Sequence, residues 1–192
     1  MFSLKVNDEI ELKLAQAKYA VNAFEVIKTN YKHLQEWMLW VNENMSFETV
    51  PNFYTNSAKS YKKDGSELGL LIFYQGKIVG GTGLHSIIKP YKSAELGYWL
   101  SKEFNGRGIV TKSVVRLLEY AFEEKNLNRI TVKCVPENRK SLAIPEKLGF
   151  TKEGIERESV WLHTRFADQV VYSMLAKEWE QKRLRKNDIS EK

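Results

Sequence analysis

A chain of 192 residues with 43% apolar content can bury one full core and is read as a single domain. Its longest apolar run, LGLLIFY at 68–74, is far short of the roughly 20 residues that cross a bilayer, and the charged, alternating N-terminus MFSLKVNDEIELKLA is not a secretory signal. A lone cysteine, Cys134, excludes an internal disulfide and a cysteine-based metal site, while a net charge of +6 suits nucleic acid, a phosphorylated cofactor or a plain solvated surface.

In chain order, EIELKLA (9–15) sets Ile10, Leu12 and Leu14 against polar neighbours and predicts an opening strand. Val26, Leu34 and Trp37 fall at helical spacing between Tyr19 and Met38, and the Asn, Ser and Pro of NENMSFETVPNF end that helix. Another helix is expected over 53–63, stopped by Asp64-Gly65. ELGLLIFY (67–74) and KIVGGTGLHSI (77–87) flank Gln75-Gly76 as a hairpin, and SAELGYWLS (93–101) adds a strand after the loop at Pro90.

The second half changes rhythm. Val114, Leu117, Leu118, Ala121 and Phe122 give one apolar face to a helix over 111–125. RITVKCV (129–135) is a strand with Ile130, Val132 and Cys134 on one side, and ENRKSLAIPEKLGF is a short helix ended by Gly149. Two last strands are expected, near 151–162 and over DQVVYSML (168–175). Antiparallel pairing combined with one βαβ unit predicts an α+β fold, a mixed and mostly antiparallel sheet with helices on both faces. The domain is placed at 1–182, with 183–192 as a basic, solvated tail.

The stretch SKEFNGRGIVTKSVVRLL (101–118) sets Gly106 and Gly108 between a strand and the 111–125 helix. Backbone amides of 106–111 then converge on a helix start, where orphan N–H groups and the dipole favour an anion; Arg107 adds charge. A P-loop would need Gly-Lys-Ser/Thr, and a dinucleotide fingerprint would need a small residue where Thr111 stands. Both fit poorly, which leaves a phosphate cradle or an ordinary turn before a helix.

ELGYWLSKEFNGRGIVTKSV, RITVKCVPENRKSLAIPEKLGFTKEG and DQVVYSML together resemble the GCN5-related N-acetyltransferase (GNAT) superfamily, and within it the RimJ/RimL type of ribosomal-protein N-terminal acetyltransferase. The family motif Arg/Gln-x-x-Gly-x-Gly/Ala is met here by Glu103-Phe-Asn-Gly106-Arg-Gly108, which departs at its first position. The resemblance implies acetyl-CoA as cosubstrate and no metal. It places the pyrophosphate on Asn105, Gly106, Arg107, Gly108, Ile109, Val110 and Thr111. It implies a bulge in the GYWL strand and a splaying of that strand from the next one at the centre of the sheet, with backbone amides near Trp99 and Leu100 facing the acetyl group. Asn138 then contacts the cofactor arm, and Ser141 is the proton donor to the leaving thiolate. The implied acceptor is a protein N-terminus, with ribosome association. A small amine, of polyamine or aminoglycoside type, is the alternative acceptor, and a nucleic-acid-associated binding protein without chemistry is the alternative class. The implied location is the cytoplasm, away from membranes; a homodimer through an edge strand is a further expectation.

Amide formation needs a neutral amine, a polarised carbonyl and a proton for the thiolate. Glu95 is the favoured base, on one strand face with Gly97 and Trp99 while Leu96, Tyr98 and Leu100 share the other. Glu158 is next, Glu156 and His85 are further candidates, and a direct water route from the amine to bulk is the alternative. Asn138 and Ser141 also suit helix capping, and Pro145 cannot bond the Ser141 carbonyl, so a distorted helix is expected there. Trp99 reads as packing as much as function. EWMLWVNENMSF and SVWLHTRF either line an acceptor cleft or fill the core. Cys134 reads as a buried thiol rather than an acyl carrier.

Overall fold

A computed structural model describes residues 2–42, 45, 56, 58–61, 63 and 65–190, with 186–190 described by backbone alone. The opening alternation becomes β2 (Ile10–Leu14), burying Ile10, Leu12 and Leu14. A short strand the pattern did not reveal, β1 (Ser3–Lys5), pairs antiparallel with it. Between them the Asn7 Oδ1 accepts the amides of Glu9 and Ile10 at 3.0 and 2.8 Å, a local turn built by one side chain.

The helix expected over 19–38 is broken into α1 (Ala20–Thr29) and α2 (Tyr31–Leu34). Asn30 lies at the break and ties it to a distant loop. Its Nδ2 donates to the Val26 carbonyl at 2.9 Å and to Ser101 Oγ at 3.1 Å, while its Oδ1 accepts the Lys102 amide at 2.9 Å. Of the helix expected over 53–63, residues 56, 58–61 and 63 are helical and the others lie outside the described residues, as does most of NENMSFETVPNF.

β3 (Leu68–Tyr74) and β4 (Lys77–Ile88) form the expected hairpin, with φ of +48° at Gln75 and +78° at Gly76. β5 (Ser93–Leu100) follows. The glycine loop leads into α3 (Ile109–Glu119), which begins two residues earlier than predicted and ends in a π turn over Tyr120–Glu124. β6 (Arg129–Cys134) and α4 (Arg139–Leu148) come next, then the hairpin of β7 (Thr151–Leu162) and β8 (Arg165–Leu175). The helix α5 (Ala176–Ser190), which the charge-rich end concealed, closes the described chain. Trp179 donates to Glu123 at 3.2 Å and Arg183 pairs with Glu123 at 2.6 Å, fixing α5 beside the π turn.

The strands form one eight-stranded sheet in the order β1-β2-β3-β4-β5-β6-β8-β7. Every neighbouring pair is antiparallel except β5–β6, so the fold is the mixed, mostly antiparallel α+β sheet expected. α3 buries Val114, Leu117 and Leu118 with Leu96, Leu100 and Ile130, each side chain worth about 2 kcal/mol when taken from water. α1 buries Ala23 and Ile27 with Leu71 and Phe73 in a second core. No described helix is long and apolar enough to cross a membrane.

The parallel pair decides where the site lies. β5 and β6 meet only through Ser93–Arg129, Ala94–Ile130 and Glu95–Thr131, after which they part. The bulge expected at GYWL is not there, because β5 pairs with β4 in unbroken register from Glu95 to Leu100. The register shifts on the strands before β6 fall at Ile72/Phe73 in β3–β4 and at His85/Ile88 in β4–β5, and two more fall in β7–β8 at Lys152/Gly154 and Glu156/Val160. The splaying of β5 from β6 is as expected, and without a bulge it alone frees the backbone.

Candidate active site

Strand alternation identifies the freed groups. The Ser101 amide donates to Val79 at 2.8 Å on the β4 side, and the Lys92 carbonyl accepts from Asn128 and Arg129 on the β6 side. Counting by twos, Trp99 belongs to the β4 ladder, while the amides of Tyr98 and Leu100 face the gap. The expected pair of amides therefore shifts by one residue. The Trp99 indole lies against Gly81 instead, where a Cβ would come within 2.4 Å of its Nε1.

Beyond the gap the chain turns through Gly106 and Gly108, at φ of +80° and +72°, into α3. A Cβ at either glycine would meet nothing within 4 Å, so positive φ is what calls for glycine. The first amide of this turn with a backbone acceptor is Lys112, to the Gly108 carbonyl at 3.0 Å. The amides of 106–111 have no partner among the described residues and stand at the positive end of α3. Asn105 Nδ2 is buried without a partner and borders a cavity shared with Val110. Arg107 stacks on Phe104 with its guanidinium 5.1 Å from the ring centre. Orphan amides, an unpaired amide donor and a nearby cation fit the diphosphate of coenzyme A.

α4 begins across the gap. Asn138 is its N-cap, and its Oδ1 accepts the Ser141 amide at 3.1 Å. The helix runs unbroken through Pro145, contrary to the expected distortion, because the carbonyl that proline strands finds another donor. The Tyr98 hydroxyl donates to the Ser141 carbonyl at 2.8 Å. Ser141 Oγ lies 3.2 Å from Cys134 Sγ, and the Tyr98 oxygen lies 3.9 Å from that sulfur. Burial pushes the Cys134 thiol above its ordinary value, which disfavours the thiolate that an acyl carrier needs, although Cys134 lines the larger cavity. Burial likewise pushes the Tyr98 phenol well up.

Two cavities meet at this point. One, of about 350 Å³, runs from Asn105 and Val110 to Asn138, Ser141 and Ile144. Burial, with Lys140 and Lys102 nearby, holds the His33 imidazole at its edge below the usual value. The other, of about 480 Å³, lies over the opposite sheet face, among Trp37, Trp40, His85, Glu95, Gly97 and Trp99. Trp37, Met38, Tyr98, Trp99, Asn138 and Ser141 border both.

The expected residues divide accordingly. Glu95 and His85 face each other in the β4–β5 register and both line the larger cavity. Glu156 is paired with Lys133 at 2.9 Å, and Glu158 is exposed, its amide donating to Asp168 at 2.9 Å; neither borders the cavities described. Trp37, Trp40 and Val160 line the larger cavity, whereas Trp161 and Phe166 are exposed and pack edge to face on each other. Among the described residues no cluster of metal-ligating side chains occurs. Tyr98, His33 and Asn30 were missed. The signal for Tyr98 was available in Pro145, which announces a stranded carbonyl four residues earlier.

Comparison with known proteins gives a consistent picture. A family model described as an acetyltransferase (GNAT) domain matches residues 14–151. The chain is 37% identical over 185 residues to the "Putative ribosomal N-acetyltransferase YdaF" of Bacillus subtilis (strain 168), covering 94% of this chain and 98% of that one. Among solved structures, the microcin C7 self-immunity acetyltransferase MccE in complex with acetyl-CoA and AMP has a TM-score of 0.84 at 31% identity, covering 89% of this chain and 94% of that one. RimL, a ribosomal L7/L12 α-N-protein acetyltransferase in complex with coenzyme A, shares the fold with a TM-score of 0.88 at 24% identity, over 92% and 99% of the two chains.

Proposed function

The chain belongs to the GNAT acetyltransferase family and is an acetyl-CoA-dependent N-acetyltransferase; from that premise we propose that its acceptor is the N-terminal amine of a protein, with ribosomal proteins the first class to test. The observation that carries this reading is the meeting of the two cavities at Trp37, Met38, Tyr98, Trp99, Asn138 and Ser141; the smaller would take the cosubstrate and the larger the acceptor. The names of YdaF and RimL support a ribosomal protein as acceptor.

Acetyl-CoA supplies an activated acetyl group and a thiolate leaving group. The amides of 106–111 and Asn105 Nδ2 would hold its diphosphate, and Asn138 borders the path of its arm. The amides of Tyr98 and Leu100 point into the gap, positioned to take the developing oxyanion of the acetyl carbonyl. Glu95, in the acceptor cavity, accepts the amine proton directly or through one water. Ser141 Oγ, at the shared wall, gives its proton to the thiolate as the C–S bond breaks. Burial favours the neutral thiol at Cys134, so the amine attacks the thioester directly.

The test is thiol release from acetyl-CoA with peptides beginning in Ser or Ala, run beside polyamines and aminoglycosides. Release with peptides supports the protein acceptor. Release only with small amines moves the acceptor to that class. Silence throughout, with salt-dependent RNA binding, would replace the enzyme reading by a nucleic-acid-binding one.

A further inference from the structure

Four glycines lie where β4 and β5 run side by side, and three of them are required by packing. A Cβ at Gly80 would come within 2.4 Å of the Trp99 carbonyl oxygen, at Gly81 within 2.4 Å of the Trp99 indole nitrogen, and at Gly83 within 2.5 Å of the Leu68 carbonyl oxygen. Gly97 differs. Its φ lies outside the left-handed region, and an added Cβ would meet only the His85 ring, at 3.5 and 3.6 Å, which is ordinary contact. Neither the backbone nor its neighbours call for glycine at 97, although glycine inside a strand weakens it. The carbonyl of Gly97 accepts the Thr82 hydroxyl at 2.9 Å, so the backbone there is fixed and does not use glycine for freedom.

The place explains the choice. Gly97 lies between Glu95 and Trp99 on one strand face and opposite Gly83 in register, and it lines the larger cavity. Its missing side chain leaves a notch in the cavity wall, bounded by the His85 ring, Glu95 and Trp99. The notch is one residue from the Tyr98 amide that faces the gap.

We propose that Gly97 is a specificity-determining residue, whose notch receives the substituent on the amine-bearing carbon of the acceptor. The inference rests on the acceptor reading of this cavity but not on the acceptor being a peptide. An amine held for attack beside Glu95 brings its α-carbon against this wall. A methyl group there would compete with an α-substituent and leave an unbranched amine unaffected.

The test compares Gly97→Ala with the unaltered chain on amines matched in pairs. Peptides beginning in Gly are set against those beginning in Ala and Ser, and n-butylamine against sec-butylamine. In the variant the kcat/KM ratio of unbranched to α-branched acceptor should rise about tenfold or more, the discrimination one methylene group gives in a fitted pocket. Coenzyme A affinity by calorimetry should stay within about twofold, and the midpoint of thermal unfolding should not fall. A ratio unchanged in every pair, or a loss equal for branched and unbranched acceptors, overturns the proposal. Failure of the unaltered chain to release thiol with any amine would instead overturn the acceptor reading itself.

Discussion

The Tyr98 hydroxyl donates to the Ser141 carbonyl at 2.8 Å, and Ser141 is the residue whose helical donor Pro145 removes. One bond thus satisfies a stranded acceptor and joins β5 to the start of α4 across the gap where the strands part. Tyr98→Phe should leave that carbonyl unpaired in a partly buried setting, at a cost of about 1 kcal/mol. Pro145→Ala restores a backbone N–H four residues on. In the Tyr98→Phe background it should recover most of the lost stability in urea unfolding. A double variant no more stable than Tyr98→Phe alone would show that the bond does not hold the helix start.

Ser141→Ala tests the proton donor cleanly, because the Asn138 cap uses the Ser141 backbone amide and the Tyr98 bond uses its carbonyl. Neither depends on the hydroxyl. The expected result is a fall in kcat of about 100-fold, with coenzyme A affinity nearly unchanged, as loss of a positioned acid predicts. Equal kcat would reduce Ser141 Oγ to a packing partner of Cys134.

Much of this site could be read from residue order alone, and what escaped depends on distant partners. The glycine loop was legible because positive φ at 106 and 108 is a local demand that glycine meets, and the faces of β5 followed from alternation. The break at Asn30 was not legible, since its side chain answers to Ser101 and Lys102, some 70 positions away. The exchange of Pro145 for Tyr98 as partner of the Ser141 carbonyl was only half legible: the stranded acceptor can be deduced, its new donor cannot. The splaying of β5 from β6 was expected and is there, but the freed amides were displaced by one residue because a bulge was expected as well. α5 was hidden by its charge; Ala176 and Trp179 at its start pack on the core, and bonds from Trp179 and Arg183 to Glu123 fix it beside the π turn.

The outer strands carry a pH-sensitive clamp. Arg129 on β6 reaches across β8 to Glu153 on β7 with two bonds, and the Ser173 hydroxyl on β8 adds a third at 2.8 Å. Hydrogen bonds from Arg129 and then Ser173 hold the Glu153 carboxyl down to about 2, against an ordinary 4.5. A depressed carboxyl stabilises the fold above its unfolded value and loses that contribution as pH falls from about 4.5 to about 2. With both side chains about a third exposed, solvent screening trims the effect to about 1 kcal/mol. The stability difference between the unaltered chain and Glu153→Gln, by urea unfolding, should be near that value at pH 7 and vanish near pH 2. A difference independent of pH would dismiss the clamp.

Gly108 and Gly76 allow strain to be separated from ligand binding. They share φ of +72° and +78°, and a Cβ at either meets no protein atom within 4 Å. Alanine at each should therefore cost a similar amount of stability, about 1 kcal/mol for a left-handed residue. Their surroundings differ. Gly108 begins α3 among the unpartnered amides of 106–111, whereas Gly76 turns the β3–β4 hairpin, away from both cavities. If the loop holds the diphosphate as proposed, Gly108→Ala should weaken coenzyme A binding about tenfold by calorimetry, and Gly108→Val further, because the side chain would enter the space the diphosphate needs beside the backbone. Gly76→Ala should bind as the unaltered chain does. Equal coenzyme A affinity in all three variants would place the diphosphate away from this loop.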